Sequence, residues 1–271
     1  MNVLIIAGGM SRRMGRDKGL VTRPDGSRQI DHIAGLAKQI SGQVHLSVRA
    51  GTAPPLDLPL VHDLRPGAGP LAALEAAATT SPGPWLAIGC DLFLLDAETL
   101  ARLVEQRDPS RAATCFLNRI DGRPEPLCTI YEDRALVAAR AALDEEKHCA
   151  RRFLESLDPA TLDLPNPVAL DNANTPGELE ECFAKLTNGA SRKTVRVLHF
   201  AKLREERGVD QEFVETYACT AGGLYEELRF RHRLSLEAFA LRAAVNGDFA
   251  PWNAPVADGD EVVFIPPVAG G

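Results

Sequence analysis

Over its first two thirds the chain alternates short, almost wholly apolar runs with amphipathic or alanine-rich stretches. No other feature of the sequence restricts the fold as strongly. VLIIA (3–7), VHLSV (44–48), WLAIGC (85–90) and ATCF (113–116) read as strands, and segments near 31–40, 71–80 and 97–107 read as the helices between them. Strands that are apolar on both faces and separated by helices predict a parallel sheet covered on both sides, an α/β domain. A longer helical candidate runs over 133–157 with a break near His148.

The pattern changes near TNGASRKT (187–194), which is short, polar and contains Asn-Gly. Beyond it VRVLHF (195–200) and EFVETY (212–217) read as strands, 222–232 as a helix, and Asn246-Gly247 as a hairpin turn before a last strand in DGDEVVFIPPVAGG. The expected division is therefore a domain over 1–187, a linker over 188–194 and a strand-rich α+β domain over 195–271. A second helix within 229–242 cannot be placed from the pattern. The 271 residues allow one large domain or two smaller ones, and 45% hydrophobic residues supply ample core. The net charge of −7 rules out a global field for nucleic acid, so any basic site must be local. No apolar run is long enough to span a bilayer, and no signal peptide is expected. Six cysteines without a CxxC pair argue against a zinc knuckle and fit reduced thiols in a cytoplasmic protein.

AGGMSRRMGRDK (7–18) concentrates glycine and positive charge directly after the first strand. Glycines there let backbone N–H groups approach a ligand, and Arg12, Arg13 and Lys18 supply charge-assisted donors suited to a triphosphate. The stretch is neither GxxxxGK[ST] nor GxGxxG. On glycine and charge alone, a tight turn with solvated arginines accounts for it equally well. HDLRPGAGPLAAL (62–74) reads as an irregular loop, with Pro70 in the first turn of a helix at the sheet's carboxyl edge. WLAIGCDLFLL (85–95) puts Asp91 at the end of a buried strand, where a carboxylate needs water, a cation or a donor; Asp96 fills the next helix cap. GRPEPLCTIY (122–131) offers a turn and a strand. In DNANTPGEL (171–179), Thr175, Pro176 and Glu178 form a capping sequence that does not require Asn172 or Asn174.

LIIAGGMSRRMGRDK resembles the LAGGxSxRMGxDK signature of molybdenum cofactor guanylyltransferases (MobA-like proteins), nucleotidyltransferases of Rossmann-like α/β fold. The later segments resemble that family's DxxxGxGPLAG, CDxPxL, GRxxPL and NxNTPEEL, so the likeness covers residues 1 to about 187. It implies that Ala7, Gly8, Gly9, Ser11, Arg12, Gly15, Lys18, Asp63 and Gly69 bind GTP. It also implies that Lys18 and Asp91 are catalytic, that Asp91 holds Mg²⁺, and that Asn172 and Asn174 face the pterin. Ala73 and Phe93 stand where the family has glycine and proline. The implied reaction is attack by the terminal phosphate of molybdopterin on the α-phosphorus of GTP, with loss of pyrophosphate.

From Val195 the chain resembles the small sulfur-carrier subunit of molybdopterin synthase (MoaD-like), a ubiquitin-like β-grasp fold, in VRVLHFAKLRE, AVNGDF and GDEVVFIPPVAGG. That resemblance implies adenylation of Gly271 by an ATP-dependent activating enzyme, conversion to a thiocarboxylate, and insertion of the tail into the large molybdopterin synthase subunit. Gly270 would allow threading; Phe200 and the exposed face of the last strand are candidate contacts. Three other readings stay open: a carrier whose first domain binds nucleotide without catalysis, cytidylyl transfer to the same cofactor, and a sugar-nucleotide pyrophosphorylase. No nucleic-acid or membrane partner is expected.

Overall fold

The computed structural model describes residues 1–7, 17–48, 54–65 and 67–266. It divides the chain into two compact units, Met1–Asn172 and Ala173–Gly271. The first is built as β1 (Asn2–Ile6), α1 (Gln29–Ile40), β2 (Val44–Val48), β3 (Leu60–His62), α2 (Pro70–Thr80), β4 (Trp85–Gly89), α3 (Ala97–Glu105), β5 (Ala113–Leu117), β6 (Pro124–Tyr131), α4 (Asp133–Asp144), α5 (Ala150–Ser156) and β7 (Ala160–Leu162).

Its seven strands form one sheet in the order β3-β2-β1-β4-β6-β5-β7. Every residue of β1, β2 and β4 is buried, as their unbroken apolar runs require. Helices α1 and α3 cover one face through Ile30, Ile33, Leu100 and Leu103. On the other face, α2, α4 and α5 pack through Leu71, Ala72, Ala76, Leu136 and Phe153. Four buried alanines on α2, Ala73 among them, give it a smooth side against the sheet.

The sheet corrects one expectation. It is mixed: β6 runs antiparallel to both β4 and β5. The physical cause lies between β5 and β6, where the six residues 118–123 close a hairpin through Asn118 N–H to Arg123 O (2.8 Å) and Gly122 at φ +66°. A parallel return needs a crossover of a dozen or more residues. The helical stretch 133–157 is broken, as expected near His148. Glu146 adopts a left-handed φ of +59°, and the N–H groups of Glu146 and Lys147 bond back to Leu143 O and Ala142 O.

The second unit contains α6 (Pro176–Asn188), β8 (Lys193–His199), α7 (Ala201–Arg207), β9 (Gln211–Thr216), α8 (Ala221–His232), β10 (Arg242–Val245), β11 (Asp248–Ala250) and β12 (Glu261–Ile265). Its sheet runs β11-β10-β12-β8-β9, with β12 parallel to β8 and the other neighbours antiparallel, a β-grasp arrangement. Alternation along β8 and β12 turns Val195, Val197, Val262 and Phe264 onto Leu224, Tyr225 and Leu228 of α8. The Asn246-Gly247 turn has φ of +53° and +90°, the signs of a two-residue hairpin loop. A one-turn 3₁₀ segment, Ala238–Ala240, stands where the second helix could not be placed. The short helix in this unit is instead α7, directly after β8.

Helix α6 falls in this unit, although the sequence pattern groups it with the residues before 187. The Glu181 carboxylate accepts the N–H groups of Cys219 (2.7 Å) and Thr220 (2.9 Å) and the Thr220 hydroxyl (2.7 Å), while Lys185 lies 3.2 Å from it. Gly223 accommodates this contact: a Cβ there would lie 2.3 Å from the Glu181 carboxyl.

Candidate active site

Four neighbouring parallel strands end at one edge of the first sheet, and Lys18, Asp63 and Asp91 stand at that edge. Ala7 follows β1, Asp63 follows β3 and Asp91 stands two residues past β4. The serine hydroxyl of Ser47 on β2 donates to Asp63 Oδ1 at 3.2 Å. Lys18 opens a 3₁₀ turn, Lys18–Leu20, that Asp17 caps by accepting the Gly19 N–H at 2.9 Å. Its Nζ lies 3.6 Å from Asp91 Oδ2, with both side chains mostly shielded from solvent. Gly69 caps α2 at φ +73°, a conformation that favours glycine, and Pro70 occupies the first helical position. Gly8, Gly9, Ser11, Arg12 and Gly15 lie outside the described residues, as do Gly270 and Gly271.

Two residues that the sequence reading passed over complete the Asp91 environment. Gly89 ends β4, and a Cβ at that position would lie 2.6 Å from Asp91 Oδ1 and 2.9 Å from Leu127 Cβ. Because β6 is reversed, its beginning reaches the same edge and brings Glu125 beside Asp91. Glu125 is 3% exposed; its carboxylate accepts the Leu127 N–H at 3.1 Å and lies 3.4 Å from the Arg151 guanidinium, which also meets Asp121 at 2.8 Å. Burial first, and the neighbouring Asp91 charge second, push the Glu125 carboxyl up to about 7. The available signal was a lone charged residue, Glu125, inside a strand that is otherwise uncharged. Burial also pushes the Cys90 thiol up, so it is not a nucleophile at neutral pH.

Asn172 and Asn174 are half-buried, and they divide between the units: Asn172 ends the first, and Asn174 lies in the second. Asp171, just before them, forms a two-point ion pair with Arg119 at 2.9 and 2.7 Å. Glu178 accepts the N–H groups of Asn174 (2.5 Å) and Thr175 (3.0 Å), and the Thr175 hydroxyl accepts the Glu178 N–H, completing the expected capping box on α6. Phe93 is fully buried in the loop after Asp91. Phe200 is 46% exposed at the start of α7.

Among the described residues no three His, Cys, Asp or Glu side chains converge on a metal site, and no helix is long and apolar enough to cross a membrane. The carboxyl edge of an α/β sheet is where ligands of such folds bind, and Lys18 and Asp91 face each other there. The chain belongs to the family of the MobA-like NTP transferase domain, whose model matches residues 3–161, and it carries in addition a ThiS family domain over residues 197–271.

A molybdenum cofactor biosynthesis bifunctional protein of Synechocystis is 32% identical over 177 residues, 64% of this chain; the match spans about half (51%) of that relative's length. A probable molybdenum cofactor guanylyltransferase of Mycobacterium ulcerans is 31% identical over 184 residues, covering 65% of this chain and 90% of its own. The crystal structure of molybdopterin-guanine dinucleotide biosynthesis protein A from Archaeoglobus fulgidus shares the fold of the first unit. Its TM-score is 0.60 at 21% identity, over 69% of this chain and all of that one.

Proposed function

We propose that the first unit transfers GMP from GTP to molybdopterin and that the second carries sulfur as a thiocarboxylate on Gly271. The observation that supports the first half is the Lys18–Asp91 pair, held 3.6 Å apart at the carboxyl edge of β1 and β4 in a chain of this family. The Lys18 ammonium suits phosphate oxygens and would compensate charge building on the departing pyrophosphate. The loop 8–16 and Asp63 would hold the nucleotide, with Asn172 and Asn174 toward the acceptor. An acceptor phosphate oxygen forms the new bond to the α-phosphorus while the bond from that phosphorus to the β-phosphate oxygen breaks. The electron pair leaves on pyrophosphate, and the protein's work is alignment and charge compensation.

Mg²⁺ fits this donor set. It favours hard oxygen donors and commonly binds through one or two carboxylates together with substrate phosphates, keeping several waters, and Asp91 at the carboxyl edge supplies such a carboxylate. When bound, the ion would neutralise phosphate charge; Asp91 would hold it, and the absence of a side chain at Gly89 leaves Asp91 its room.

For the second unit, the ThiS domain supports a carrier whose terminal carboxylate is adenylated by an activating enzyme and then takes sulfur, with the large molybdopterin synthase subunit as partner. Two measurements test the reading. Purified chain with GTP, molybdopterin and Mg²⁺ should release pyrophosphate, and Lys18→Ala and Asp91→Ala should each lower that release at least about 10²-fold; full activity in both variants rejects the site. Intact-mass analysis after incubation with an activating enzyme, ATP and a sulfur source should show oxygen replaced by sulfur on the C-terminal peptide; an unchanged mass rejects the carrier role.

A further inference from the structure

The loop that carries Asp91 is held by its main chain. Arg23 donates to Phe93 O at 2.8 Å and to the Gln29 side-chain oxygen at 2.5 Å. Gln29 in turn donates from Nε2 to Leu92 O at 3.1 Å, and His32 Nε2 lies 3.1 Å from Leu95 O. Burial lowers the His32 pKa, so the ring is neutral near pH 7, and only the tautomer protonated at Nε2 can donate to that carbonyl. Three side chains of one short segment thus take three carbonyls of the loop immediately after Asp91.

The gripping segment is continuous with Lys18. Gln29 N–H bonds to Val21 O at 2.9 Å and Arg23 N–H to Ser27 O at 2.8 Å, and Thr22 bridges to Arg28, so residues 18–29 fold back on themselves as one piece. That piece presents Lys18 to Asp91 at one end and Arg23 to the loop at the other. Arg23 is 6% exposed and Gln29 is fully buried, beside the fully buried Leu92 and Phe93. A guanidinium in such surroundings is costly, and apolar residues of similar size commonly fill such space at no loss of stability. Leu92, Phe93 and Leu95 bury the side chains of the loop; what the polar pair adds, and an apolar pair would not, is partners for its main-chain carbonyls.

We infer that Arg23 and Gln29 are positioning residues for Asp91: their grip on the Phe93 and Leu92 carbonyls sets the carboxylate's place opposite Lys18. This rests on the transfer reaction proposed above. Arg23→Met keeps the volume and removes the donors; Arg23→Lys keeps one. Each would be compared with the wild-type chain for binding of Mn²⁺ as its GTP complex, read from the enhancement of water-proton relaxation when protein is added, and for kcat and KM toward GTP.

Arg23→Met should weaken Mn²⁺ binding about tenfold and lower kcat by about as much, as loss of a group orienting a metal ligand does, with KM for GTP within about twofold. Arg23→Lys should recover part of both. A folded Arg23→Met chain that melts earlier yet binds Mn²⁺ and turns over like the wild type overturns the inference. Should Arg23→Met fail to fold, Gln29→Met, which leaves the Arg23–Phe93 bond in place, decides the matter: a smaller loss in both readouts supports the inference, and unchanged values overturn it. A wild-type chain that releases no pyrophosphate overturns the transfer reading and this inference together, whereas an active wild type with indifferent variants overturns this inference alone.

Discussion

Asp91 has the room it occupies because Gly89, two residues before it, has no side chain. At 2.6 Å from Asp91 Oδ1 and 2.9 Å from Leu127 Cβ, the Cβ of an alanine at Gly89 would have to displace both. The carboxylate is the more easily moved, since Leu127 is fixed by its strand. Gly89→Ala should therefore lower pyrophosphate release by up to about 10²-fold, the scale of a misplacement of about 1 Å, and lower the melting temperature through the Leu127 contact; turnover equal to wild type would show that Asp91 tolerates the shift. The place of Asp91 was legible because a carboxylate at a buried strand end needs water, a cation or a donor. Lys18 stood out by its charge in a glycine-rich stretch and by the family likeness, and their pairing was not foreseen. The requirement on Gly89 was not legible, because it comes from a strand far along the chain. Glu125 was hidden for the same reason: only the reversed direction of β6 brings it to Asp91. Gly69 could be read, since a glycine before a helix-opening proline announces a special backbone.

At the scale of elements, β1, β2, β4, β5 and α1 to α3 follow directly from local periodicity. The direction of β6 does not, although the shortness of the link before it carries that information. The allegiance of α6 is the larger difference. TNGASRKT has the composition of a boundary, but polarity marks exposure and not which side a helix packs on; that depends on one buried carboxylate. Replacing Glu181 by alanine leaves the N–H groups of Cys219 and Thr220 without their acceptor at the start of α8. The cost should be about 2 kcal/mol or more, measured as a lowered urea midpoint of the second unit. A fragment beginning at Ala173 should accordingly be more stable to urea than one beginning at Ala190, and equal midpoints would mean that α6 contributes nothing to the β-grasp unit.

Taken as a whole, the molecule answers pH in opposite senses at its two ends. Glu125 is raised to about 7 from an ordinary value of 4.5, so between those values the unfolded chain ionises while the folded one keeps its proton. Stability of the first unit therefore falls as pH rises from 4.5 through 7, by about 3 kcal/mol in all. Glu125→Gln should melt like the wild type at pH 4 and increasingly above it by pH 8. In the second unit Glu212 is lowered to about 2, first by its hydrogen bonds from Arg207 and then by those from His199, so its contribution is present above 4.5 and is lost as pH falls toward 2. Glu212→Gln should lie furthest below the wild type near neutral pH and converge with it in acid. Fluorescence melts across this range check both, and a flat difference for either variant contradicts the corresponding shift. The place of β12 also bears on how the carrier is made. It lies between β10 and β8, so two strand pairs translated earlier stay unjoined until the last strand emerges from the ribosome. Closure of this sheet is therefore the final step of building the second unit, and a chain stalled before Glu261 holds two separate strand pairs in place of one sheet.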